Sequence, residues 1–181
     1  VQTCALPISQ GADVAVVLPL YQKVKEKLSD QLHFECYDYV DLAWRHSYCG
    51  LFSMERDGVT WYFLDNEQYF RRPELYGYMD DGERFGFFSR AVVRMLPHLR
   101  FWPEVIHCND WQTALVPIYL KDDSVREERF RSIRTVLSIH NIEYQGRYGR
   151  EILEYVLGID DAHFRSGFMA MDGDVNLMKA A

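Results

Sequence analysis

Three short runs rich in β-branched and aliphatic residues, with helical periodicity in the gaps between them, constrain the fold more than any other feature. Asp13–Leu18 reads D-V-A-V-V-L and stops at Pro19, Val105-Ile106-His107 is a second run, and Arg134–Ile139 reads R-T-V-L-S-I. The first and third lack polar alternation, which predicts strands buried on both faces. Between the runs, Asp80-x-x-Glu83 predicts a capping box. After it Phe85, Phe88, Val92, Met95 and Leu99 recur at spacings of 3, 4, 3 and 4. That is an amphipathic helix with Arg84, Arg90 and Arg94 largely off its apolar stripe, ended or kinked by Pro97. A further helix over Trp111–Lys121 would carry Pro117 well inside it and should kink there. Such a broken rule beside a strand end marks a place to look for function.

Strands alternating with helices predict an α/β fold, a Rossmann-like, open and mostly parallel sheet. One excursion interrupts it. Leu51–Arg56 and Val59–Leu64 flank Asp57-Gly58, a two-residue turn of the type I′ hairpin kind. Upstream, Leu32–Trp44 alternates apolar and polar residues, predicting one long strand with a wet face or two strands bent near Asp38. Lys23–Asp30 reads as a surface connection and Asn66–Tyr78 as irregular. Towards the end, Glu151–Leu157 and Asp160–Arg165 predict short helices, and a last helix begins at Asp174.

Composition narrows the function classes. The 181 residues suit one ordinary domain, and 48% hydrophobic with 26% charged residues is a globular balance. With 20 basic against 27 acidic residues the net charge is −7, which disfavours a nucleic-acid partner. No apolar run reaches membrane-helix length, and the N-terminus lacks the basic start and apolar stretch of a signal peptide. A soluble, cytoplasmic chain with no membrane partner is expected. Cys4, Cys36, Cys49 and Cys108 form no CxxC pair and read as reduced thiols. His107, Cys108 and Asp110 do not match a zinc-ligand spacing, so no metal is expected.

Ligands of open α/β sheets bind beyond the carboxyl ends of the strands. Two loops leave such ends with suitable chemistry, His107–Trp111 and His140–Gly146. Asp110 can serve as an N-cap of the following helix, as a ligand at the crevice, or both. Trp111 is a core residue or an indole platform, since an indole face packs on the C–H patches of a pyranose. His140 directly follows a strand. Its neighbours Asn141, Glu143, Tyr144 and Gln145 supply hydrogen-bonding groups suited to a polyhydroxyl substrate. No nucleophile elbow, P-loop or GxGxxG is present.

At these residues the chain resembles the bacterial glycogen synthases and plant starch synthases. His107-x-x-Asp110-Trp111-x-x-Ala114-Leu115-x-Pro117 is similar to their HxxDWxxALxP segment, and Ser138–Gly146 to their IHN-x-x-YQG loop. Arg72-Pro73-x-x-Tyr76-Gly77 with Glu83-Arg84-Phe85, Val14–Tyr21, and Asn176-Leu177-Met178-Lys179 extend the resemblance in order over about residues 10–181. It implies the N-terminal half of a two-domain GT-B-type enzyme that transfers glucose, with retention, from ADP-glucose to the non-reducing end of an α-1,4-glucan. ADP-glucose and glucan (glycogen or maltooligosaccharides) would be the ligands, with no cofactor. By the same resemblance His140 lies beside the donor glucose and Asp110 is a required aspartate near the cleft. Tyr76, Asn141, Tyr144 and Gln145 would shape a sugar subsite. A histidine-bearing loop in a closed, dry site suits an oxocarbenium-like transition state.

The departures carry expectations too. The family's first strand and Lys-x-Gly-Gly-Leu loop have no counterpart, residues 1–9 read as a foreign leader, and the C-terminal domain is missing. An inactive fragment is therefore expected. A glucan-binding module and a sucrose-synthase-like transferase are the alternative readings.

Overall fold

The structure is a computed structural model that describes Ile8 and residues 10–181. The expected leader, with Cys4, therefore lies outside the described residues apart from Ile8. The chain divides into two units, one comprising residues up to Asp38 with Tyr48–Leu75, the other Tyr39–Ser47 with Tyr76–Ala181.

In the first unit, β1 (Ala15–Pro19) pairs in parallel with β4 (Val59–Asp65), Ala15 opposite Thr60 and Pro19 opposite Leu64. β4 runs antiparallel to β3 (Arg45–Arg56) around Asp57-Gly58, whose φ values of 54° and 74° are those of the expected turn. β2 (His33–Leu42) completes the order β1-β4-β3-β2. In the last four residues of β2, which belong to the second unit, alternation shows at Val40 and Leu42, both buried beside exposed Tyr39 and Asp41. β1 corrects one expectation. It is half-buried, with Leu18 37% exposed, because it ends the sheet order and, among the described strands, pairs only with β4. The expected connection over Lys23–Asp30 is also corrected: α1 (Gln22–Leu28) fills most of it. Val24 and Leu28, four apart on one face, pack with Leu32, Phe52 and Trp61 against Leu20, Met54 and Phe63. Asn66 caps α2 (Glu67–Phe70), accepting from the Tyr69 N–H at 3.2 Å.

The second unit is built around α3 (Asp81–Met95), buried on nearly every side and not on one stripe alone. Arg84, off the stripe and fully buried, pairs with Asp81 and lies 4.8 Å over the Tyr78 ring. The capping box does not form. Asp80 makes no side-chain cap bond, and Glu83 pairs with Arg45 at 2.8 Å. The first turn is instead organised by Asp81 Oδ2, which accepts the N–H groups of Gly77 (2.6 Å) and Tyr78 (3.1 Å). Pro97 falls in the single 3₁₀ turn after Met95, so α3 ends where expected.

β5 (Val105–Asn109) and β6 (Arg134–Ser138) form a parallel pair with Asn109 opposite Ser138. Expected as buried, β6 exposes its first three residues, Val136 at 50%; its only partner among the described strands is β5. A 3₁₀ turn over Trp111–Thr113 precedes α4 (Val116–Asp123). The helix thus starts later than expected, and Pro117 sits in its first turn, where no intrahelical N–H is lost and no kink is needed. A small antiparallel sheet joins β7 (Arg147–Tyr148), β9 (Asp174–Asn176) and β8 (Ala170–Met171) in that order. The helix expected from Asp174 is therefore a strand first. α6 (Leu177–Ala180) starts three residues later, with the Asn176 side chain accepting from the Lys179 N–H at 2.9 Å. The helix expected at Glu151–Leu157 is a π-type turn over Leu153–Leu157, and α5 spans Ala162–Arg165.

Candidate functional site

Parallel pairing of β5 with β6 brings the two candidate loops together at adjacent strand ends, all within the second unit. Asp110 is the first residue beyond β5 and holds φ at 58° with ψ at −176°, a backbone that L-residues avoid. It is held there from several sides. Its N–H donates to Ser138 O at 2.9 Å, while its Oδ1 accepts the N–H groups of His140 (2.7 Å) and Asn141 (3.3 Å). The expected helix cap is not made. The carboxylate reaches across to the next loop instead, because the positive φ turns the chain away from the helix axis.

His140 is exposed, and its Nε2 lies 2.9 Å from Asn109 Oδ1. Alongside, His107 Nε2 lies 2.7 Å from Ser138 Oγ. Asn109, His107 and Ser138 were not among the predicted site residues. The signal for two of them was available, since His107 and Asn109 alternate on one face of a strand that ends at a ligand-binding loop.

The loop after His140 is supported from beneath. Asn141 Oδ1 accepts the Glu143 N–H at 3.0 Å. Gln145 Nε2 donates to Ile142 O at 2.8 Å, and Gln145 Oε1 accepts from Asn176 Nδ2 at 2.6 Å. Gln145 is thus spent on shaping the loop. Gly146, with φ at 65°, sits so tightly on Trp111 that an added Cβ would lie 2.7 Å from the indole ring. Trp111 itself is only 8% exposed, its ring 5.2 Å edge-on from Phe85 and 6.2 Å from Tyr148. The sugar-facing indole is therefore corrected to a buried support under Gly146. Tyr144 and Tyr76 are 61% and 59% exposed. Among the described residues no hydrogen bond or ring contact ties either to the Asp110–His140 cluster.

The cluster contains no activated thiol. Burial pushes the Cys108 thiol up to about 12, against a smaller downward pull from its hydrogen bond with Thr113. Burial likewise pushes the Tyr148 phenol well above its ordinary value, with Asp81 adding to the effect. Among the described residues no group of three His, Cys, Asp or Glu side chains could hold a metal ion. What the site offers is an exposed loop of hydrogen-bonding groups, Glu143 among them, with the Asp110 carboxylate fixing its backbone. That chemistry suits hydroxyl-rich ligands.

The family model for the starch synthase catalytic domain matches residues 5–181. The chain belongs to the starch synthase catalytic-domain family. Among its relatives is a glycogen synthase of Lactobacillus acidophilus, 44% identical over 170 residues, which are 94% of this chain and 36% of that protein. A glycogen synthase of Clostridium kluyveri is 43% identical over the same shares. Among solved structures, the catalytic domain of starch synthase IV from Arabidopsis thaliana, bound to ADP and acarbose, superposes with a TM-score of 0.82 at 26% identity. That likeness covers 97% of this chain and 37% of the plant chain. This family member thus spans little more than a third of the length of the relatives it matches. The match agrees with the mixed α/β architecture and its parallel strand pairs. No helix among the described residues is long and apolar enough to cross a membrane.

Proposed function

We propose that the chain serves glucosyl transfer from ADP-glucose to the non-reducing end of an α-1,4-glucan, with retention, and that the Asp110–His140 cluster is its sugar-binding site. One observation carries the reading. A carboxylate at the end of one parallel strand organises the backbone of an exposed His-Asn loop at the end of the next. Relatives named glycogen synthase, and a starch synthase structure bound to ADP and acarbose, supply the substrate class. In this reading His140 lies beside the donor glucose, and Asn141, Tyr144 and Tyr76 contact sugar hydroxyls and ring faces. Asp110 acts through the loop it holds. The reaction needs no metal or organic cofactor, and the remaining donor contacts come from a second domain. The free thiols Cys36, Cys49 and Cys108 fit work in the reducing cytoplasm.

Two measurements test this. Maltoheptaose and ADP-glucose, titrated separately into the 181-residue chain, should move the NMR signals of the 109–111 and 140–146 loops. A chimera in which residues 10–181 replace the matched segment of the L. acidophilus glycogen synthase should transfer radiolabelled glucose from ADP-glucose to glycogen. His140→Ala in that chimera should lower transfer by about 100-fold or more, the scale of losing a preorganised polar group. A folded but inactive parent chimera would overturn the transfer reading; if it still bound glucan, a binding module would stand in its place.

A further inference from the structure

We propose that Asn109 is a positioning residue for His140, fixing the imidazole in its Nε2–H tautomer so that Nδ1 faces the ligand chemistry only as an acceptor. The part of this that concerns transfer rests on the reading above; the tautomer itself does not.

The argument starts from which end of the amide points where. Asn109 Nδ2 lies 3.4 Å from the carbonyl oxygen of His107, an atom that only the NH₂ end can approach favourably. That turns Oδ1 towards His140, 2.9 Å from Nε2. An amide oxygen accepts and cannot donate, so the bonded imidazole nitrogen must carry the proton. In the neutral ring the other nitrogen, Nδ1, is then an acceptor.

The backbone that carries this amide is itself held in place. Asn109 ends β5 in register with Ser138, two residues before His140. Its N–H donates to Thr113 Oγ1 at 2.7 Å, and the Thr113 hydroxyl donates back to Asn109 O at 2.9 Å. Consecutive residues therefore divide one task. Asp110 fixes the backbone of His140 at 2.7 Å, and Asn109 fixes its ring. A ring free to exchange tautomers would offer a donor or an acceptor at Nδ1. Held in one form it offers only an acceptor, which selects a hydroxyl over a carbonyl or phosphate oxygen.

The test reads the tautomer directly. Two-bond proton–nitrogen correlation spectra of the ¹⁵N-histidine-labelled chain should show His140 protonated on Nε2 and bare on Nδ1 above the histidine titration range. Asn109→Leu, close in volume but without hydrogen bonds, should turn this into a tautomer mixture while the melting curve stays cooperative. Asn109→Asp should restore the Nε2–H form. In the chimera, Asn109→Leu should lower kcat by on the order of 10- to 100-fold, by analogy with the loss of a partner that orients a metal-bound histidine, with KM for glycogen little changed. Asn109→Asp should recover most of kcat but move the acidic limb of the pH profile upward, because an adjacent carboxylate favours the imidazolium. Should the native chain show a proton on Nδ1 or a mixture, or should Asn109→Leu leave a pure Nε2–H form, the proposal is overturned. Loss of the tautomer with unchanged kcat in an active chimera overturns the positioning role. An inactive parent chimera counts against the transfer reading alone, and the spectra then decide the tautomer. If Asn109→Leu does not fold, the native and Asn109→Asp spectra carry the decision.

Discussion

Asp110 puts a charged side chain on a backbone with φ at 58°, where glycine would rest without strain. A non-glycine residue in that region costs about 1–3 kcal/mol, so the surroundings must return more than they lose by holding it. The returns are identifiable: two backbone N–H groups of the neighbouring loop end on one carboxylate oxygen. Charge-assisted bonds of this kind contribute about 1.5–3 kcal/mol. Asp110→Ala keeps the strain and loses both bonds, and should cost roughly 2–3 kcal/mol in urea unfolding. It should also speed hydrogen exchange at the His140 and Asn141 amides. Asp110→Asn keeps a neutral acceptor and should lose about half as much. Equal, near-zero losses for both variants would show that the carboxylate does not organise the loop. The residue was legible in the sequence as a candidate, but its role was not. A cap and a cross-loop clamp use the same residue type just beyond a strand, and only the φ of Asp110 and the register of β6 separate them.

At the scale of elements, the sequence revealed most where a turn or a period is encoded locally. Asp57-Gly58 produced its hairpin because both residues tolerate positive φ. The turn joining β2 to β3 went unseen because it is Ala43-Trp44, and Ala43 at φ 51° carries no turn signature. Burial of β1 and β6 was overestimated for a different reason. An apolar run reports that a strand is compatible with a core, whereas sheet order decides how many neighbours it gets. Pro117 was placed one turn too deep, because Trp111–Thr113 folds as a 3₁₀ turn and not as the start of the helix. Two substitutions test these placements. Pro117→Ala should change stability by less than about 0.5 kcal/mol, since a first-turn proline removes no hydrogen bond. An interior proline, in contrast, costs about 3 kcal/mol relative to alanine, so a gain approaching that value would return Pro117 to the helix interior. Gly146→Ala meets the Trp111 ring at 2.7 Å and the Leu177 Cβ at 3.2 Å from a φ of 65°. It should destabilise by about 1–3 kcal/mol through strain and overpacking. Calorimetry of the two variants beside the native chain reads both outcomes.

For the whole molecule, the net charge of −7 makes carboxylates with built-in cationic partners the groups that set acid stability. Asp161 has such a partnership with two arginines. Arg150 donates to both its oxygens, at 2.6 Å and 2.5 Å, and Arg165 reaches one of them at 2.9 Å. The Arg150 hydrogen bonds foremost hold the Asp161 carboxyl below its ordinary value, with the charges of Arg150 and Arg165 adding to them. A folded-state value depressed below the unfolded one means that the unfolded chain binds the proton more readily. The associated stability is therefore fully present above the ordinary carboxylate range and is lost as pH falls through the folded value. Asp161→Asn keeps the side chain's shape and removes the titration. At neutral pH the variant should melt below the native chain, and the gap should narrow as pH falls through the acid range. Because Arg150 and Arg165 are largely exposed, with side chains 51% and 65% accessible, added salt should also narrow the gap. Melting curves across a pH series at low and high salt read both dependences. A gap that stays constant with pH would mean that the asparagine disturbs packing, and that the ionised carboxylate is not what these two arginines stabilise.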